Sequence, residues 1–149
     1  MKEAVVTDST CLIALERLGQ LDLLPSLFEP IYAPREVARE FGLPLPWLKV
    51  VDLADPDRAI FLSASVDAGE AEAIVLAREL GLKVILDDLR ARRLAHRIGL
   101  EVIGTLGILV RAKRQGLLDH LGPVLDQLEG FGFHMTPELK EEALRQASE

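Results

Sequence analysis

Five acidic residues carry the chemistry this chain could do. Asp8 and the pair Asp87-Asp88 each follow a short apolar run that reads as a buried strand, Ala4-Val5-Val6 and Lys83-Val84-Ile85-Leu86. Glu70 falls in the first turn of the helix that precedes the second of these strands, and Glu40 lies on an earlier helix opened by Pro34. In open parallel sheets the loops beyond the carboxyl ends of the strands converge on a crevice. Acids gathered there suit a hard divalent cation such as Mg²⁺, which takes oxygen ligands from one or two carboxylates and completes its shell with water or phosphate. Without a cation, carboxylates a few ångströms apart repel and raise one another's pKa, so the cluster would cost stability.

Each acid also has a structural reading. Asp8 at a strand-to-helix turn can cap the helix, and Glu70 stands three residues after Asp67 in the pattern of a capping box. Glu40 can be an exposed helix residue. Asp88 beside Asp87 is harder to explain so, since one N-cap needs one acid. Ser9 and Thr10 are caps, or donors to Asp8 or to a metal-bound water, and Thr105 repeats their situation at the next strand-to-helix turn.

The elements that must position these residues alternate. After the first strand, Leu12, Ile13, Leu15 and Leu18 recur at helical spacing, and LDLLPSLF continues as a short helix before a strand at Ile31-Tyr32-Ala33. PREVAREFG reads as a helix stopped by Gly42, and LKVVDL as an edge strand beside a proline-rich loop. Asp67 opens a helix that ends at Gly81, LRARRLAHRIG follows Asp88 as a helix, and EVIG at 101–104 is a strand. Helices are then expected over 105–115, 117–128 and 137–147. This order predicts an α/β fold, a three-layer α/β/α sandwich with a mainly parallel central sheet. With 149 residues it should form one domain, the helices over about 117–148 packing on the rest.

Composition narrows the function. Seventeen Lys and Arg against 24 Asp and Glu give a formal net charge of −7, so binding to nucleic acid by bulk charge is disfavoured and a site for it must be a local patch. Such a patch exists on the helix after Asp88, where Arg90, Arg93 and Arg97 recur at spacings of three and four and Arg92 shares an adjoining stripe with His96; Arg111, Lys113 and Arg114 form a second one, and Arg90, Arg92, Arg93 and Lys113 are the expected RNA contacts. Aromatic residues are 5%, too few for the stacking surfaces of general single-strand binders, and Trp47 is the conspicuous one. A single Cys11 excludes a disulfide framework and a multi-thiolate zinc site and reads as a core filler. His96, His120 and His134 lack ligand spacing, and there is no G-x-S-x-G elbow for a serine hydrolase. No apolar run is long enough to span a bilayer, so the expected location is cytoplasmic.

Taken in order, Asp8, Glu40, Glu70 and Asp88 resemble the acids of the PIN-domain ribonucleases, the family that includes the toxin halves of VapBC-type toxin-antitoxin pairs. The similarity is carried by VVTDST, PREVAREF, GEAEAIVLA and VILDDLRARRLAHRIGLEVIGTLGILVRAKRQGLL, with GE-x-EAI, DD-x-x-x-R and GT-x-G-x-L motifs typical of a little-characterised prokaryotic branch. Glu70 stands where many toxin members have Asp. Leu86 stands where the commoner pattern has Thr, which leaves Asp87 and Asp88 as alternatives with Asp88 favoured.

The resemblance implies an endoribonuclease dependent on Mg²⁺ or Mn²⁺, a hydrolase of RNA phosphodiester bonds. It implies Asp8 and Asp88 as direct ligands of one or two ions, with Glu70 and Glu40 acting through water or orienting the nucleophile. It further suggests a homodimer and, for a toxin, an antitoxin partner that blocks the site. Two other classes fit the pattern less fully: a PIN-like module that binds RNA or protein without cutting, and a receiver-type phosphotransfer domain. The latter usually needs an acidic pair after the first strand, and VVTDST offers one acid.

Overall fold

The computed structural model describes residues 2–149. Five strands, β1 Glu3–Thr7, β2 Phe28–Ala33, β3 Leu48–Val50, β4 Lys83–Ile85 and β5 Val102–Ile103, form one parallel sheet in the spatial order β3-β2-β1-β4-β5. Val5, Val6, Ile31, Val84 and Ile85 are all buried to within 1%. Strands this apolar must be covered on both faces, and the helices supply a three-layer α/β/α sandwich.

Nine helices are present among the described residues: α1 Ser9–Arg17, α2 Leu23–Leu27, α3 Arg35–Phe41, α4 Pro56–Leu62, α5 Ala68–Leu80, α6 Leu89–Arg97, α7 Thr105–Arg114, α8 Leu121–Gly130 and α9 Pro137–Gln146. α5 packs on β1 and β4, and α8 and α9 pack on α7. Cys11 is fully buried in the core, as its type suggests.

The chain moves outward from β1 through β2 to β3, returns by way of α4 and α5 to β4, then moves in the opposite direction to β5. Strand order therefore reverses between β1 and β4. The crevice outside the carboxyl ends at such a reversal is the favoured ligand position in open α/β sheets. Asp8 leaves β1 there, and Asp87 and Asp88 lie just beyond β4.

Several boundaries differ from the sequence reading, and three of the differences have an evident cause. The stretch 54–66 contains α4, which no apolar periodicity announced; its signal is the start pair Asp55-Pro56, with the Asp55 carboxylate accepting from the Arg58 amide at 3.3 Å. The helix expected from 117 begins instead at Leu121, because a helix reaching back to Leu117 would set the Pro123 ring against the carbonyl of Asp119. Pro30 lies inside β2 rather than before it. Val5 faces Ile31 while Glu3 faces Phe28, so β2 carries one extra residue at this point and its proline stands in a bulge.

Leu12 and Leu15 have no exposed surface, and their burial fixes the direction in which α1 departs from Asp8. Leu12→Ala should lower stability by about 3 kcal/mol, measured as a shift of the urea unfolding midpoint with unchanged slope.

Candidate metal and nuclease site

Asp8 is the N-cap of α1. Its Oδ1 accepts from the Cys11 amide at 3.2 Å, and its own amide donates to the Ile85 carbonyl at 3.3 Å, which ties the end of β1 to the end of β4. Thr7 Oγ1 donates to the Asp8 carbonyl at 3.0 Å. The second carboxylate oxygen, Oδ2, is buried and has no hydrogen-bond partner. A buried polar atom without a partner is rare and asks for an explanation.

Asp87 and Asp88 diverge. Asp87 is half-buried as a residue, and both its oxygens are occupied by one neighbour: Oδ1 accepts from the Thr105 amide at 2.7 Å and Oδ2 from Thr105 Oγ1 at 2.6 Å. Asp88 is exposed and caps α6, accepting from the Ala91 amide at 3.0 Å through Oδ2. Its other oxygen is uncommitted, whereas each Asp87 oxygen already accepts one bond and keeps one lone-pair site. Both expected alternatives therefore keep acceptor capacity for a cation, Asp88 with one oxygen entirely open.

Glu70 completes the capping box expected from the sequence. Its amide donates to Asp67 Oδ1 at 2.7 Å, and its Oε1 accepts from the Asp67 amide at 3.1 Å. Glu40 reaches the same region from α3. Its Oε1 accepts from Ser9 Oγ at 3.4 Å and rests against Gly69, where a Cβ would overlap it. Ser9 therefore serves Glu40 rather than Asp8. Thr10 is exposed on the wall of a neighbouring groove, and Thr105 is a partner of Asp87, the cap of α7 being Gly104.

Burial is the main cause of the site's electrostatics. It pushes the Asp8 carboxyl well above the usual range, with the charge of Asp87 and then those of Glu70 and Asp67 adding to the effect. Glu70 is raised to about 7, first by burial and then by Asp67 and Asp88. Asp87 is raised by burial and held down by its Thr105 bonds and by Arg92, and Glu40 is raised by burial and by Asp67. Among the described residues no three His, Cys, Asp or Glu side chains close around one point as ligands of an ion. The donor set is nonetheless all oxygen, and Mg²⁺ or Mn²⁺ held by one or two carboxylates and water would give Asp8 Oδ2 a partner. In that sense the residues fit the group.

The basic residues divide between two ends of the molecule. Arg90 and Arg93 line a polar hollow of about 610 Å³ together with Ser63, Ser65, Glu70 and Asp88. A larger groove of about 1130 Å³, walled by Val102, Val110, Phe133, Met135 and Leu139, opens onto the same acids from the other side. Arg92 points inward, donating through Nη1 to the Leu86 carbonyl at 3.0 Å. Lys113, expected to contact RNA, is instead held by the Ala147 carbonyl at 3.1 Å and Glu149 at 3.3 Å. Arg111 pairs with Glu3 at 3.2 Å and lies over the Phe28 ring, at the opposite edge of the sheet from Asp8. Strand-to-helix order already sets the start of α7 at the acidic edge and Arg111 and Lys113 at its other end; what spacing could not supply is their distant partners, Glu3 and Glu149. It also missed Gly69 and Gly104, whose only signal was their place in the GE and GT motifs.

A carboxyl whose folded pKa exceeds its unfolded value binds more protons in the native state, so stability falls as pH rises from the unfolded pKa through the folded one. For Glu70 that interval runs from about 4.3 in the unfolded chain to about 7, and Asp8 acts in the same direction. Chelator-treated protein should therefore melt at a higher temperature near about pH 5 than near about pH 8, with Glu70→Gln flattening the slope. A melting temperature that rises across this range would contradict the assignment.

A family model described as PIN domain matches residues 4–149. No curated protein matches the chain. Among the described residues no helix is long and apolar enough to cross a membrane. The match spans almost the whole sequence and agrees with the strand order and the acids at its reversal: the chain belongs to the PIN-domain family, whose members are generally nucleases.

Proposed function

We propose that this protein is a metal-dependent endoribonuclease that hydrolyses RNA phosphodiester bonds at the carboxyl edge of β1 and β4. The observation that carries this reading is the buried, unpartnered Asp8 Oδ2, on which the charges of three further acids, Asp87, Glu70 and Asp67, bear. Asp8 and Asp88 would hold Mg²⁺ or Mn²⁺, each with one oxygen left over from its capping bond. The ion would supply a more acidic bound water and a counter-charge for the scissile phosphate. Glu70 and Glu40 would accept a proton or orient a water, and a Glu70 pKa raised to about 7 suits a group that exchanges protons near neutrality. Arg90 and Arg93, exposed in the polar hollow beside Asp88, can meet the flanking phosphates. Preference for RNA, a toxin role with an antitoxin partner, a homodimeric state and a cytoplasmic location belong to the same proposal.

A second reading, a PIN-like module that binds without cutting, is favoured by one fact: among the described residues no three His, Cys, Asp or Glu side chains close around one point as ligands of an ion. Incubation of a mixed RNA pool with Mn²⁺ separates the two. The parent protein should cut, and Asp8→Asn, which keeps the cap, should cut about 100-fold less or worse. Equal cutting by both would defeat the mechanism, and RNA binding without cutting by the parent would favour the second reading.

Gly69→Ala provides a finer test of Glu40. Alanine suits a helix better than glycine by up to about 1 kcal/mol, yet its Cβ occupies the place of Glu40 Oε1. The variant should melt no lower than the parent and cut roughly tenfold more slowly; unchanged cutting would remove Glu40 from the machinery.

A further inference from the structure

Arg92 was expected on the RNA-facing surface, and its surroundings give it different work. It touches the Asp87-Asp88 junction at both ends. Its backbone amide makes the ordinary first-turn bond of α6 to the Asp88 carbonyl at 2.9 Å, and its guanidinium Nη1, the part specific to arginine, donates to the Leu86 carbonyl at 3.0 Å. The two aspartates are thus enclosed between the two bonds of one residue. The guanidinium can lie there because position 104 has no side chain: a Cβ on Gly104 would stand 2.5 Å from Arg92 Nη1 and 3.0 Å from Asp87 Oδ1. Gly104 has φ −98°, a backbone conformation open to any residue, so it is space and not backbone freedom that the glycine provides.

Beyond this recess, Thr105 closes on Asp87 with its amide at 2.7 Å and its hydroxyl at 2.6 Å. Two adjacent carboxylates on a strand-to-helix turn repel each other and would both turn toward solvent if nothing held them apart. Here one is turned inward, between a cation and two donors, and the other outward.

We infer that Arg92 is a positioning residue: by fixing the peptide before Asp87 and filling the Gly104 recess, it turns Asp87 onto Thr105 and leaves Asp88 free to face a cation. The inference rests on the nuclease reading for its effect on cutting, but the Asp87–Thr105 arrangement can be observed without it. Asp87 becomes a bracket between β4 and α7. Arg92 acts through it and does not touch substrate.

Two substitutions disturb the arrangement independently. Arg92→Gln removes the charge and the reach, whereas Gly104→Ala keeps the arginine and displaces its guanidinium, whose far end can swing into solvent at little cost to the fold. Three measurements are made on each: hydrogen exchange of the Thr105 amide, Mn²⁺ affinity by titration calorimetry without RNA, and the division of any loss of cutting between kcat and KM. Both variants should exchange the Thr105 amide at least about tenfold faster than the parent and alter Mn²⁺ affinity. Both should lose cutting in kcat with KM within about twofold, and Arg92→Lys should recover part of the loss.

Unchanged Thr105 exchange in Arg92→Gln would overturn the inference whatever Gly104→Ala does, because the added Cβ at position 104 also crowds Asp87 Oδ1 directly. So would a rise in KM alone, which would return Arg92 to the role of a phosphate contact. If the parent neither binds Mn²⁺ nor cuts RNA, the nuclease reading falls, and Thr105 exchange alone then decides whether Arg92 holds the bracket.

Discussion

The structure is organised around the cost of burying like charges where two neighbouring strands end. Asp8 and Asp87 follow β1 and β4, adjacent strands in register from Val5 and Lys83 to Thr7 and Ile85. Each carboxyl is desolvated, and the charge of Asp87 raises the pKa of Asp8 further. A fold does not retain such a pair for packing, since an apolar or amide side chain would fill the same volume without the penalty. The surrounding elements read as answers to this problem: helix N-termini that donate amides, a threonine given wholly to one acid, an arginine set beside it, and a bare oxygen that a cation would satisfy.

That economy explains why so few residues suffice. The amide donors at the starts of α1, α5 and α6 are obligatory features of helices, and the sequence meets them with Asp8, Asp67 and Asp88. A carboxylate has more acceptor capacity than one cap consumes. Capping fixes the side chain with one oxygen and leaves the other pointing away from the helix. Structural and chemical readings of these acids are therefore not rivals, because the first supplies the rigidity that the second needs.

Much of this was legible in the chain itself. Apolar runs followed by acids, a capping box at Asp67 and Glu70, and the alternation of strand and helix give the parallel sheet and place the acids at one edge. What was not legible depends on partners distant in sequence. Lys113 looks like an exposed cation until Glu149 is brought to it, and Arg111 looks like part of the same patch until Glu3 claims it at the far edge of the sheet. Arg92 shares a helix with Arg90 and Arg93, yet only the closeness of Leu86 and Gly104 shows that it faces inward. Helix α4 escaped because its apolar residues do not mark a buried face. Ile60 and Phe61 are 69% and 80% exposed, and Ala59 is the buried one.

The double duty proposed for the acids has an evolutionary consequence. Asparagine caps a helix about as well as aspartate, and the two are separated by a single base in the codon. At Asp8 or Asp88 a lineage can thus lose the proposed metal chemistry in one mutational step while the scaffold hardly registers the change. Silent descendants of such a fold should accumulate readily, carrying intact architecture and surviving on whatever binding remains to them.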